Sequence, residues 1–164
     1  LYTYSVVELD ARLGTLKRWQ QLLQGDDHDW DLAAAPSLVR TAGGRRLIAQ
    51  GGKDGRLYAI HRRSGTVRWR YRSPTPLIAG VTSTAGGLVF TGDLRGEVLA
   101  FDGRTGAVRW QYATGQPIGG GVVTYLAGGR QYVAAAVGMH APTTWRLKTG
   151  SAKVVVFAVP RKSK

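Results

Sequence analysis

The chain has 164 residues and no cysteine. That absence removes disulfides, thiolate zinc sites and a cysteine nucleophile together, while fixing no compartment. No apolar run approaches the ~18 residues of a membrane-spanning helix. The sequence starts at Leu1 rather than Met, and "LYTYSVVELD" already reads as strand. No signal peptide is visible, and we expect a fragment of a longer protein. Helical periodicity is missing as well. Carboxylates are scarce: ten acidic residues stand against 23 basic ones, a formal charge of +13.

Such a charge suits nucleic acid, a membrane surface or an acidic protein partner. "VRWRYR" (67–72) tests the first. Along a strand, Arg68, Arg70 and Arg72 share one face and Val67, Trp69 and Tyr71 the other. A single-strand nucleic-acid groove needs cations and aromatics on one surface. Alternation separates them here, giving an aromatic stripe toward a core and a solvated basic face. No specific nucleic-acid reader is expected, and "PRKSK" at the end reads as a solvated tail.

Against that background "GDDHDWD" (25–31) stands out, because Asp26, Asp27, Asp29 and Asp31 are four of the ten acidic residues. If the loop is extended, Asp29 and Asp31 point to one side, where two carboxylates could share a hard cation, with His28 and Trp30 on the other. Aspartates in such a loop also commonly bond backbone amides in turns. The start of an EF-hand is excluded, since Leu32 stands where its glycine belongs and no glutamate closes the loop. His28 and His61 fit hydrogen-bonding turn positions, and His140 takes no role.

The chain repeats itself. "GRLYAIHRRSGTVRWRY" (55–71) aligns with "GEVLAFDGRTGAVRWQY" (96–112) at an offset of 41, and "SVVELDARLGTLKRWQQ" (5–21) fits with one extra residue before Trp19. "AGGRRLIAQGG", "AGGLVFTGD" and "AGGRQYVAAAVG" supply a preceding strand for later units. Glycine-ended turns such as "RRSG" and "GRTG" suit hairpins. Short strands at this spacing predict an all-β fold of four-stranded antiparallel β-propeller blades. About four units fit, near 1–40, 41–81, 82–126 and 127–160, as one partial domain with a basic tail at 161–164. Trp19, Trp69 and Trp110 are expected to dock between blades.

Repeats and acidic loop together resemble the pyrroloquinoline-quinone-dependent alcohol dehydrogenases. Segment 1–39 is similar to that family's "LY-x-x-S-V-V-x-L-D" hairpin and its "D-x-H-D-W-D" loop; 51–65 to its "K-N-G-x-x-Y-x-L-D-R-x-T-G" segment; and 79–138 to its C-terminal blades. The resemblance implies an eight-bladed propeller carrying the quinone and a Ca²⁺ or lanthanide ion, oxidation of an alcohol by hydride transfer, a cytochrome c as electron acceptor, and a periplasmic location. Residue by residue it implies Asp29 as base, Asp29 and Asp31 as metal ligands, and Lys53 against the quinone. The chain departs from the family in three places. Its first blades, with further metal ligands, are missing. "HRRSG" runs directly into "TVRWRY". Gly25 and Asp26 stand near the usual Pro-His. The chain thus keeps the base and lacks most of the pocket, and missing blades or another chain would have to complete it. A non-catalytic quinoprotein-like propeller serving as an envelope interaction scaffold is the competing reading. Nonspecific polyanion binding through Arg-rich strand faces is a third.

Overall fold

The computed structural model describes residues 2–138 and 150–159; His140 and the tail at 161–164 lie outside them. No helix occurs among the described residues, and the strands form successive antiparallel sheets. β1 (Ser5–Leu9) and β2 (Leu16–Gln21) make a hairpin. β3 (Ser37–Arg40), β4 (Arg46–Gly51), β5 (Arg56–His61) and β6 (Val67–Arg72) make a four-stranded sheet. β7 (Thr82–Ser83), β8 (Leu88–Gly92), β9 (Glu97–Asp102) and β10 (Val108–Ala113) make another. β11 (Val122–Ala127), β12 (Arg130–Val137) and β13 (Lys153–Ala158) form a three-stranded one. These are blades of a partial β-propeller. The sheets begin one strand ahead of the repeat boundary in the second and fourth units, because β3 and β11 precede the "AGG" turns. β3 and β7, at four and two residues, are too short to show alternation.

Alternate residues of each middle strand face the two neighbouring blades. Leu57 and Ala59 of β5 pack with Val89, Leu99 and Phe101 of the next blade. Val98 and Ala100 of β9, with Phe90 of β8, pack with Val133, Val155 and Phe157 of the last. At the other end, Tyr58 and Ile60 pack with Tyr4, Val6, Leu22, Leu23 and Trp30 of the first unit. Hydrophobic burial between blades is therefore continuous along the arc.

A register shift recurs in the outer hairpins of the first three sheets and fixes which side chain docks. In β5–β6 it falls between Ala59, opposite Trp69, and Ile60, opposite Val67. In β9–β10 it falls between Ala100, opposite Trp110, and Phe101, opposite Val108. In β1–β2 the equivalent pair is Glu8 opposite Arg18, so Trp19 sits one position on. Trp69 docks as expected, its Nε1 donating to the Gly103 carbonyl of the next blade at 2.9 Å. Trp110 packs edge-on against Phe157 at 4.9 Å. Trp19 does not dock; it stays 41% exposed and meets Tyr2 edge-on. The extra residue in that hairpin gives its place to Arg18, whose guanidinium donates to the carbonyls of Arg62 and Arg63.

Candidate functional site

The loop after β2 is folded back on the second blade. Trp30 and Leu32 pack on the Tyr4, Tyr58 and Ile60 cluster. The Asp26 carboxylate accepts from the backbone amides of His28 at 3.1 Å and Trp30 at 2.8 Å, a turn-forming use that explains one of the four aspartates. His28 stacks on Trp30 with ring centroids 4.5 Å apart, and its Nδ1 lies 2.5 Å from the Asp27 carboxylate.

The loop is not extended at Asp29. Its φ is 55°, in the left-handed region, so alternation does not put Asp29 and Asp31 on one side. The metal-type donors brought together instead are Asp26, Asp27 and His28, whose ligand atoms lie within 4.8 Å of one another. All three are already engaged within the loop, Asp26 with backbone amides and Asp27 with the His28 ring. The carboxylate placed against Lys53 is that of Asp31. Its Oδ2 is 2.5 Å from Lys53 Nζ, and its carbonyl accepts from the Lys53 backbone amide at 3.1 Å. Loop and β4–β5 turn are thus tied twice through the same two residues. Asp29 and Asp31 are both exposed, while Lys53 is partly buried.

Beside Lys53 lies a polar network that sequence reasoning missed. The Asp54 carboxylate is buried and accepts from the hydroxyls of Tyr4 and Tyr58, each at 2.5 Å, and from Arg56 at 2.7 Å. Burial, then hydrogen bonding to Asp54, pushes both phenols well above the ordinary tyrosine range. Tyr4 has a φ of 51° where the equivalent turns of the next two units have Gly55 at 77° and Gly96 at 93°. That equivalence is visible in the repeat alignment, and a tyrosine in a glycine position was the available signal. The Tyr4 hydroxyl fills space beside Gly52 that a side chain there would need. Gly52 aligns with Asp93, which serves the next junction by accepting from Ser73 Oγ at 2.9 Å.

Asp31 Oδ1 has no hydrogen-bond partner among the described residues, and with the Lys53 ammonium it is the part of this loop that a cation and an anionic quinone would use. Five of the clefts formed by the described residues, of about 220–560 Å³, are lined by residues other than Asp29, Asp31 and Lys53.

Comparison with known proteins follows this division. Residues 1–71 match the family model described as glucose/ethanol/alcohol dehydrogenase, beta-propeller domain. Residues 53–155 match that of outer membrane protein assembly factor BamB. No curated protein sequence matches the chain. BamB from Moraxella catarrhalis superimposes with a TM-score of 0.62 at 20% identity, covering 83% of this chain and 38% of that one. Saccharomyces cerevisiae Sqt1 gives 0.69 at 12% identity, covering 98% and 40%. The quinohemoprotein alcohol dehydrogenase from Comamonas testosteroni gives 0.52 at 18% identity, covering 100% and 43%. The chain therefore spans about two fifths of the length of these structures, and at these identities the likeness is one of fold. With both family models matched and blades to correspond, the chain belongs to the pyrroloquinoline-quinone type of β-propeller family, which takes in the quinone-dependent alcohol dehydrogenases and BamB.

Proposed function

We propose that the chain supplies one wall of an alcohol dehydrogenase site, completed by further blades, and that Asp31 rather than Asp29 is its base. The observation that carries this reading is the Asp31–Lys53 pair, tied through both side chain and backbone. A bound pyrroloquinoline quinone would supply the hydride acceptor. Asp31 is exposed and is held against Lys53 through one carboxylate oxygen. Its unpartnered Oδ1 is available to take the hydroxyl proton of an alcohol. The Lys53 ammonium orients that carboxylate and sets positive charge where negative charge develops. Asp29, two residues earlier in the loop, would reach a Ca²⁺ or lanthanide ion shared with Asp31 only if the backbone turned at Asp29 on binding. A cytochrome c acceptor and an envelope location accompany this reading.

Calorimetric titration with pyrroloquinoline quinone, in Ca²⁺, in La³⁺ and without metal, tests it. Metal-dependent binding that is lost in Asp31→Asn and in Lys53→Met is expected. No binding by a folded chain favours the second reading, a non-catalytic propeller scaffold. That reading is supported by the longer of the two family matches, 53–155, which carries the BamB description. On it, Asp31→Asn leaves partner binding unchanged.

A further inference from the structure

The turn joining the last two strands of each blade carries an acidic residue in the first and third units. Asp10 accepts from the amides of Arg12 and Leu13 and pairs with Lys17 at 2.9 Å. Asp102 accepts from the amides of Arg104 and Thr105 and pairs with Arg109 at 2.7 Å. Lys17 and Arg109 occupy the same bulge position in their hairpins. In the second unit that turn position is His61, which keeps the turn by hydrogen bonding Ser64 through Nδ1. The turn is held, but the negative charge that neutralises it in both neighbours is gone.

Around this turn lies a cleft of about 550 Å³ at the junction of the first two units. Its lining includes Arg18, Arg45, Arg46, Arg62 and Arg63 against a single carboxylate, Glu8. Arg18 is fixed by Glu8 at 3.0 Å and by the carbonyls of Arg62 and Arg63. Arg62 reaches the same Glu8 at 3.7 Å. Arg45, Arg46 and Arg63 make no ion pair with any described residue. Three free guanidiniums, presented by two adjoining turns over a preset cationic floor, are suited to an anion with several oxygens, because guanidinium forks match phosphate in geometry and charge. β4 begins at Arg46 and ends at Gly51, two residues before Lys53. The cleft and the Asp31–Lys53 pair thus lie at opposite ends of one strand, about 17 Å apart at a strand's usual rise.

We propose that this cleft binds a multivalent phosphate-type anion, with Arg45, Arg46 and Arg63 as its ligands and His61 as the substitution that opens the site. The reading does not depend on quinone chemistry. His61→Asp is the decisive variant, since it installs the residue the neighbouring turns already use and should fold. Titration of the purified chain with inorganic pyrophosphate at low salt should show saturable binding. His61→Asp should weaken it about tenfold or more through the added charge, and Arg45→Ser/Arg46→Ser should weaken it comparably. A parallel arm uses vesicles of phosphatidylglycerol and, as control, phosphatidylcholine. Pyrophosphate and phosphatidylglycerol binding, both lost in His61→Asp, support the site with a lipid headgroup as its source. Pyrophosphate binding alone supports it with a soluble phosphate. Equal pyrophosphate affinity in wild type and His61→Asp, vesicle binding without pyrophosphate binding, or no binding at low salt overturns the proposal.

Discussion

Where the second and third units meet, Leu57 and Ala59 face Leu99 and Phe101, all buried, and Trp69 reaches across to Gly103. Where the first and second meet, Tyr58 and Ile60 are equally buried. Much of the connection there is polar, however: Tyr4 and Tyr58 on Asp54, Arg18 on the carbonyls of Arg62 and Arg63, Lys53 on Asp31. The backbone frame is the same and the chemistry differs. The apolar contacts of the one carry no titrating group. The other, built on a buried carboxylate and exposed ion pairs, is sensitive to pH and salt, and it is this second junction that borders the candidate site and the basic cleft.

The largest test of the contrast is truncation of equivalent side chains on successive blades. Leu9, Ile60 and Phe101 all stand at the first pair beyond the hairpin bulge. Phe101 is fully buried between Trp69 and Tyr71, with the Tyr71 ring 4.8 Å away, whereas Leu9 is 54% exposed. Phe101→Ala should cost about 3–5 kcal/mol of unfolding free energy in urea, from lost transfer energy and the cavity left behind. Leu9→Ala should change it by about 0.5 kcal/mol or less. Similar losses for the two would mean that another surface covers Leu9 in solution, packing the first unit's outer hairpin as the third's is packed.

The repeat made most of the architecture legible, since Gly55, Gly65, Gly96 and Gly106 hold positive φ at matching turns and the flanking strands alternate. What escaped was whatever depends on register or on single substitutions within the repeat. Trp19 carries the expected residue type but misses the docking position by one residue, because the bulge counts positions that an alignment by Trp does not. Asp54, Arg56 and Tyr58 look like turn and strand residues until Tyr4, some fifty positions earlier, closes over them. The acidic loop was found from composition, yet which aspartate meets Lys53 depends on the reversal of backbone at Asp29, and spacing carries no trace of that.

Alkaline titration probes the polar junction directly. The phenols of Tyr4 and Tyr58 are raised by burial and by their hydrogen bonds to Asp54. A group raised in the folded state contributes stability that is complete below its unfolded pKa and lost as pH climbs above it. Stability should therefore hold to about pH 10, the usual tyrosine value, and then fall by up to about 1.4 kcal/mol per pH unit for each phenol. Tyr71, raised chiefly by burial, adds to the fall from the apolar side. Urea midpoints measured from pH 9 upward should show a shallower decline in Tyr58→Phe than in wild type. An unchanged decline would place the titrating groups outside this junction.

The smallest effect separates the turns themselves. Arg109 beside Asp102, helped by the amides of Arg104 and Thr105, holds its carboxyl at about 2 against burial. A depressed carboxylate contributes stability that is present above its unfolded pKa and lost as pH falls through the folded one. The window therefore runs from about pH 4, the ordinary aspartate value, down to about 2. Arg109 is well exposed, so solvent screening keeps the contribution to a few tenths of a kcal/mol, about 0.5 at most. Asp102→His, which copies the second unit's turn into the third, should erase that part of the acid loss while leaving the neutral stability nearly unchanged. His61→Asp should add a comparable acid-labile increment, since a carboxylate there gains the amides that the imidazole now serves only at Ser64. If the two exchanges shift the acid limb in opposite directions, the repeat tolerates either residue for folding, and the histidine in the second unit is there for the charge it leaves exposed. If both destabilise at neutral pH, each turn is matched to its own surroundings, and charge is not what distinguishes them.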